Sequence, residues 1–186
     1  MPSRVAVLFL TLFAAATHLA PAATADGLTV VTGTAGDDHL TGASGRDHLD
    51  GLRGDDVLRG RAGNDEAYGG PGDDRLSGGP GRDSLDGEAG HDIVVGGPGP
   101  DFVADYDGGD LLAAGTGDDR AVLGAGPVSG SRLLLGPGDD EVVVQDDGLA
   151  DLVDCGPGRD VAEWVDTRDR ADRYVGCETV REYLGY

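Results

Sequence analysis

The sequence contains no lysine, and this absence narrows the kinds of protein it can encode. All 14 basic residues are arginines, against 35 acidic residues, so the formal net charge is -21. A phosphate-binding loop of the G-x-x-x-x-G-K type needs a lysine and is therefore excluded. The strong acidity also argues against nucleic acid or an anionic membrane as a partner.

Apolar and aromatic residues are scarce as well. Aromatic residues make up 5% of the chain, and Leu, Ile, Val and Phe together number 34 among the 161 residues that follow residue 25. Low apolar content combined with high net charge borders on the composition of disordered chains. We therefore expect that the polypeptide cannot fold against its own charge without a further stabilising partner.

The first 25 residues have the parts of a secretory signal peptide. Arg4 precedes an apolar run over residues 5–16, which is too short to span a membrane as a helix, and residues 23–25 form a small-x-small cleavage site. We predict cleavage after Ala25, with Ala22 as the alternative site. The protein is then expected to be secreted and extracellular, and retention at the cell surface is left open.

Glycine and aspartate are abundant and recur at a fixed period. Residues 33–122 read as ten consecutive nine-residue units, from GTAGDDHLT to AGTGDDRAV, with no gap between them. Every unit has Gly at its fourth position, Asp at its sixth and an apolar residue at its eighth. A fixed period of this kind is typical of a solenoid. The position-six aspartates are Asp38, Asp47, Asp56, Asp65, Asp74, Asp83, Asp92, Asp101, Asp110 and Asp119.

Each unit predicts a tight turn followed by a very short strand. Gly and Asp favour turns, and one apolar residue between variable neighbours suits a strand with a single inward side chain. A coil needs two turns and two strands, which corresponds to two units. We therefore predict an all-β fold, a right-handed parallel β-roll with two narrow sheets and about five regular coils.

Stacking the coils brings like charges together. Asp38, Asp56 and Asp74 should lie beside one another at the strand spacing of roughly 4.8 Å. Two carboxylates at that distance repel by about 1 kcal/mol in water and about 3.5 kcal/mol at an effective dielectric near 20. One buried Leu or Val per unit contributes only about 1.5–3 kcal/mol. A cation between the turns is therefore needed, and carboxylate and carbonyl oxygens on flexible turns favour Ca²⁺.

The units GGPGDDRLS and GGPGRDSLD carry a complete family motif. The tract resembles the RTX, or haemolysin-type, calcium-binding nonapeptide repeat, G-G-x-G-x-D-x-U-x with U apolar. In that family Ca²⁺ lies between one turn and the turn one coil further on. The resemblance therefore implies several Ca²⁺ ions per chain, bound by turn carbonyls and by the ten aspartates above. Asp105 and Ala114 depart from the motif, since they stand where it has its first glycine.

The register breaks after residue 122. Residues 135–143 and 155–163 are degenerate echoes of the unit, with Asp140 and Asp160 at the sixth position as weaker metal candidates. Cys155 and Cys177 are the only cysteines, and an even pair in an exported chain predicts a disulfide. We thus divide the chain into a signal peptide (1–25), a calcium-binding β-roll (26–122), and looser coils with a disulfide-closed C-terminal cap (123–186).

This organisation is compatible with three functions. The favoured one is a secreted, monomeric calcium-binding protein without catalytic activity, disordered in low calcium and folding as Ca²⁺ binds. The alternative is a calcium-dependent recognition or adhesion module that binds a glycan or a protein. A toxin or hydrolase accessory is less favoured, because the repeats and cap fill the chain after the signal peptide and leave no room for a catalytic domain.

Overall fold

A computed structural model describes residues 22–23, 28–107, 109–124, 130–145, 149–165 and 172–182. Most of the predicted signal peptide lies outside the described residues. Within them the chain forms 18 strands and no helix. Accordingly, no described segment is a helix long and apolar enough to cross a membrane.

The strands form two sheets that alternate along the chain. The ten-stranded sheet has the order β1-β2-β4-β6-β8-β10-β12-β14-β16-β18, and the eight-stranded sheet has the order β17-β15-β13-β11-β9-β7-β5-β3. The strands of the first are β1 (Ala22–Ala23), β2 (Thr29–Thr32), β4 (Asp47–Asp50), β6 (Glu66–Pro71), β8 (Ser84–Ala89), β10 (Phe102–Asp105), β12 (Arg120–Leu123), β14 (Glu141–Gln145), β16 (Val161–Val165) and β18 (Thr179–Glu182). Those of the second are β3 (His39–Thr41), β5 (Val57–Arg59), β7 (Arg75–Ser77), β9 (Ile93–Pro98), β11 (Leu111–Thr116), β13 (Arg132–Leu134), β15 (Leu152–Asp154) and β17 (Arg173–Val175).

Strand pairing follows the two-unit coil that the period predicts. Leu40 pairs with Leu58 on the next coil of one sheet, and Leu49 pairs with Ala67 on the other, both in parallel. All pairs among the described strands are parallel except β1 with β2, which is antiparallel. The predicted all-β parallel solenoid is therefore confirmed, and it has about eight turns.

The core is a narrow seam between the two sheets. The eighth residue of each unit points inward, and Leu40, Leu58 and Leu49 are fully buried. Their neighbours at the seventh and ninth positions point outward, as the period of two requires of a strand. Stacked coils thus bury side chains that a single nine-residue unit could not bury alone.

The glycine at the fourth position permits the coils to stack closely. Gly63 has a φ of 148°, and a Cβ atom built on it would lie 1.8 Å from the carbonyl oxygen of Gly45 on the preceding coil. Any side chain at this position would therefore clash with the neighbouring backbone. The same close approach to the preceding coil occurs at Gly54, Gly72, Gly81, Gly90, Gly99 and Gly117, whereas Gly36 of the first unit has no neighbour within 4 Å.

The predicted looser coils continue the same solenoid. Leu112 pairs with Leu133, and Leu133 pairs with Val153, so the coils lengthen from 18 residues to 21 and then 20. The predicted disulfide between Cys155 and Cys177 is confirmed, with Cα atoms 5.2 Å apart. It joins neighbouring coils at the C-terminal end of the roll.

Candidate metal sites

All ten predicted aspartates are buried, although each lies in a turn. None is more than 5% exposed. Their burial follows from the fold, because the sixth position immediately precedes an inward-packing strand. The side chains form two columns, one on each side of the roll, which we call the first and second ladders. Predicted members of the first are Asp38, Asp56, Asp74, Asp92 and Asp110, and those of the second are Asp47, Asp65, Asp83, Asp101 and Asp119.

Each ladder is built from hydrogen bonds that run between coils. The backbone N–H of Asp38 donates to Oδ1 of Asp56 at 2.7 Å, and the N–H of Asp56 donates to Oδ1 of Asp74 at the same distance. The second ladder repeats the pattern from Asp47 to Asp65 at 2.9 Å. We call each member of a ladder a rung. From Asp56 and Asp65 onward, one carboxylate oxygen of each aspartate rung thus accepts from a turn amide on the preceding coil. These bonds were not foreseen from the sequence, and they hold the inner aspartates in place against their mutual repulsion.

The second ladder continues through both degenerate units. The N–H of Asp119 donates to Asp140, and the N–H of Asp140 donates to Asp160, at 2.8 and 2.9 Å. Glu178 ends this ladder, since one of its carboxylate oxygens accepts from the N–H of Asp160 at 2.7 Å. Asp140 and Asp160 therefore lie in line with the ten aspartates of the regular tract.

The first ladder also continues, but with one hydroxyl rung. Ser131 follows Asp110 and accepts from its N–H at 3.2 Å, and Asp151 and Asp172 then resume the carboxylates. Sequence reasoning missed these three members because inserted residues displace them from the nine-residue register. The available signal for Asp151 was an Asp two residues before a buried apolar residue, as in Asp151-Leu-Val.

Among the residues that the structure describes, the other oxygen of most rungs has no hydrogen-bond donor. It is buried and unsatisfied among the described residues at many positions, in contrast to the near-complete satisfaction expected of buried polar atoms. In the first two units, by contrast, Oδ2 of Asp38 and Asp47 accepts from a turn amide of its own unit. The oxygens without a donor are Oδ1 of Asp47 and Oδ2 of Asp56, Asp65, Asp74, Asp83, Asp92, Asp101, Asp105, Asp119, Asp140 and Asp160.

In several units these oxygens converge with a backbone carbonyl at the first glycine. A Cβ atom built on Gly51 would lie 2.5 Å from Oδ2 of Asp56 and 2.4 Å from the carbonyl oxygen of Gly69, one coil further on. The glycine therefore keeps open a space that is lined by oxygen atoms of two successive turns. Oxygen-only donor sets with carboxylates suit a hard cation such as Ca²⁺, so the residues present fit that ion.

The electrostatics of the ladders also favour a bound cation. Burial raises the pKa of Asp56, Asp65 and Asp74 to about 6, and that of Asp92 to about 7, against an ordinary value of 3.8. The turn amides lower these pKa values, but not enough to offset burial, and neighbouring aspartates raise them further. At neutral pH the ionised ladders are therefore unfavourable without a compensating positive charge.

The two units without a first glycine keep their place in the ladders. Asp92 donates its N–H to Oδ1 of Asp110 at 2.8 Å, and Asp101 donates to Oδ1 of Asp119 at the same distance. Asp105 and Ala114 are both buried. The departures from the motif therefore leave the position-six aspartates in register.

Comparison with known proteins agrees with the geometry. Residues 32–67 and 68–103 match the family model of the RTX calcium-binding nonapeptide repeat. This part of the chain therefore belongs to the RTX calcium-binding repeats, a structural class of calcium-binding unit. The chain has no significant match among curated proteins.

Proposed function

We propose that the chain is an exported β-roll in which Ca²⁺ lies between stacked turns and drives folding outside the cell. The observation that supports this proposal is the pair of buried carboxylate ladders, most rungs of which leave one oxygen without a donor. When bound, Ca²⁺ would supply the positive charge that neutralises successive rungs. Since the proposed sites exist only in the folded chain, the free energy of Ca²⁺ binding contributes to the free energy of folding.

The proposed ligands are the ten position-six aspartates together with carbonyl oxygens of the turns. Asp140 and Asp160 are added to this set, because each continues the second ladder and has a buried oxygen of the same kind. Each rung lies between two turns and contacts the backbone of the preceding coil. Ordering one turn therefore helps to order its neighbour, so we expect calcium binding to be cooperative.

The proposal assigns one role to each of the three segments of the chain. Residues 1–25 direct export and are removed, residues 26–122 form the metal-dependent roll, and residues 123–186 close its C-terminal end. The disulfide is consistent with an oxidising compartment outside the cytosol. The protein is proposed to act as a monomer and without catalysis.

Circular dichroism of residues 26–186 tests the proposal. We expect a largely unordered far-UV spectrum in EGTA and a cooperative gain of strand signal as Ca²⁺ is raised to millimolar levels. Mg²⁺ at equal ionic strength is the control and should have a much weaker effect, because it demands a stricter octahedral geometry. A spectrum that is already rich in strand and is unchanged by Ca²⁺ would contradict the proposal. Calorimetric titration then gives the number of ions bound.

The recognition module remains the alternative prediction. Binding to a glycan array or to an extracellular protein in Ca²⁺, lost in EGTA, would support it. A haemolysis assay and a hydrolase panel test the less favoured toxin or hydrolase role, and clear activity in either would favour it over the proposal made here.

A further inference from the structure

One turn of the roll contains a third carboxylate. Asp105 stands at the first position of the ninth unit, where the preceding eight units have glycine. It ends β10 and is 2% exposed. Its Oδ1 accepts from the N–H of Asp107 at 3.2 Å, whereas its Oδ2 is buried and has no hydrogen-bond partner among the described residues.

Asp105 lies against two successive rungs of the first ladder. Carboxylate oxygens of Asp92, Asp105 and Asp110 lie within 4.8 Å of one another, and all three residues are buried. Oδ2 of Asp92 likewise has no hydrogen-bond donor. Two buried and unsatisfied oxygens, on Asp92 and Asp105, therefore belong to one cluster of three acids.

The carboxylate of Asp105 occupies the place that a carbonyl takes in earlier turns. At Gly69, a built Cβ would lie 2.4 Å from Oδ2 of Asp74 and 2.7 Å from the carbonyl oxygen of Gly87. One coil further on, a Cβ on Gly87 would lie 2.5 Å from Oδ2 of Asp92 and 2.6 Å from Oδ2 of Asp105. A carboxyl oxygen thus lies between the turns over residues 87–92 and 105–110, in a place where the preceding turn of this ladder has a carbonyl oxygen.

We propose that Asp92, Asp105 and Asp110 form a three-carboxylate site that binds Ca²⁺ more tightly than the other turns and fills first. This inference rests on the proposed function, since it distinguishes one member of the same series of sites. The affinity of oxygen-liganded calcium sites depends on the number of charged ligands. Like charges this close in a buried setting also repel one another strongly, which favours an ion of opposite charge between them.

The position of the cluster along the ladder strengthens the inference. The next rung after Asp110 is the hydroxyl of Ser131, so the ladder loses a carboxylate there. Asp105 supplies an additional acid on the last coil before this interruption. The site therefore lies between the coils whose units begin with glycine and the coils whose units begin with an apolar residue. We infer that a first ion bound here would order the turns on either side of it.

Calorimetric titration of residues 26–186 with Ca²⁺ tests the site. The variants are Asp105→Asn, which keeps the shape of the side chain, and Asp105→Gly, which restores the family residue. Asp107→Asn is the matched control, because it removes an exposed negative charge two residues away. We expect both Asp105 variants to weaken the tightest dissociation constant at least about tenfold and the control to leave it unchanged.

Two results separate this inference from the general function. If the unaltered protein binds no Ca²⁺, the proposed function fails. If it binds Ca²⁺ but Asp105→Asn has the same tightest constant, only the three-carboxylate site is wrong. Circular dichroism in excess Ca²⁺ verifies that the variants fold. If Asp105→Gly does not fold, the dissociation constant of Asp105→Asn alone tests the site.

Terbium luminescence tests the order of filling. Tyr106 follows Asp105 directly and can sensitise Tb³⁺ bound beside it. We expect emission from the first equivalent of Tb³⁺, strongly reduced in both Tyr106→Phe and Asp105→Asn. Emission that depends on Tyr106 only after several equivalents would overturn the claim that this site fills first.

Discussion

The two ends of the roll share one backbone path but are stabilised in different ways. In the N-terminal coils, residues 33–104, the first position of every unit is glycine, and the adjoining space is lined by carboxylate and carbonyl oxygens. In the C-terminal coils, residues 105–182, the same position is mostly apolar and buried. The buried apolar residues at this first position are Ala114, Leu123, Leu135, Val144 and Cys155.

Under the proposed function, this difference predicts that the N-terminal coils depend on metal more than the C-terminal coils do. The N-terminal coils bury a single apolar residue in each of their units but the eighth, where Val103 and Ala104 are both buried, beside an acidic ladder. The C-terminal coils bury a second apolar residue in several strands, and a disulfide adds a covalent link. Hydrophobic stabilisation grows with buried apolar area, so we expect these coils to need less neutralisation by a cation.

Calcium removal should therefore unfold the two sets of coils unequally. In EGTA we expect amides of β3 to β9 to exchange with solvent deuterium within seconds, while amides of β14 and β16 remain partly protected. The reason is that the N-terminal ladders lose their neutralising charge and have little apolar core to replace it. Hydrogen exchange followed by mass spectrometry measures this directly. Equal loss of protection in both regions would show that the C-terminal core is not independent.

Acid should replace part of the effect of calcium in the N-terminal coils. Burial raises the pKa of Asp56, Asp65 and Asp74 to about 6, above the ordinary 3.8 expected of the unfolded chain. The folded roll thus binds more protons than the unfolded chain in this range, so its metal-free stability is greatest below about pH 4 and falls as the pH rises through about 6.

We expect the strand signal in metal-depleted buffer to increase when the pH is lowered from 7 to about 4.5. Circular dichroism at several pH values checks this, with urea-unfolded protein as the baseline. If strand content stays constant or falls on acidification, burial is not the dominant influence on the pKa values of these aspartates.

Loss of the disulfide should weaken mainly the C-terminal coils. The disulfide closes a loop between residues that are 22 positions apart in the sequence. Replacing both Cys155 and Cys177 by alanine opens this loop and should destabilise the cap by about 3 kcal/mol in the chain-entropy model. Urea unfolding in saturating Ca²⁺, followed by Trp164 fluorescence, measures the change. The calcium midpoint for the N-terminal coils should shift little, and a large shift would mean that the cap nucleates the whole roll.

Neutralising one buried aspartate of a ladder should reduce the free energy of unfolding in Ca²⁺ more than neutralising its exposed neighbour. Asp74→Asn keeps the ladder acceptor but removes a buried charge, and we expect a loss of about 1.5–3 kcal/mol in Ca²⁺. Asp73→Asn is the matched control, because Asp73 is exposed, and among the described residues its carboxylate accepts from the N–H of His91 and lies 3.7 Å from Nδ1 of the same residue. Denaturant titrations of both variants give the comparison, and equal effects would argue against a metal role for the ladder.

Glycine at strained second positions should slightly stabilise the N-terminal coils. Leu52, Arg61 and Glu88 have φ values of 76°, 88° and 69°, a region that favours glycine. Leu52→Gly should therefore raise the free energy of unfolding by up to about 1 kcal/mol. Thr34→Gly is the opposite control, since Thr34 has no positive φ and its hydroxyl donates to Asp38 at 2.8 Å. Thermal unfolding in Ca²⁺ distinguishes the two.

Much of the fold was predictable because the repeat makes local and global preferences agree. Turn residues, the inward apolar residue and the stacking distance all follow from one nine-residue period, so the coil, the columns of Asp38 and Asp47, and the seam were accessible from sequence. Asp151, Asp172 and Glu178 were not, because insertions shift them out of phase. Only the pairing of strands returns them to the ladders.

The sequence by itself determined that this chain winds into a parallel solenoid with two acidic columns, because only stacked coils can bury one apolar residue per unit. The tertiary structure decided which oxygen of each aspartate caps an amide and which is left without a donor. It also decided that Asp105 meets Asp92 and Asp110. Such contacts depend on the separation and twist of successive coils, which arise from packing across the whole roll and not from any single unit.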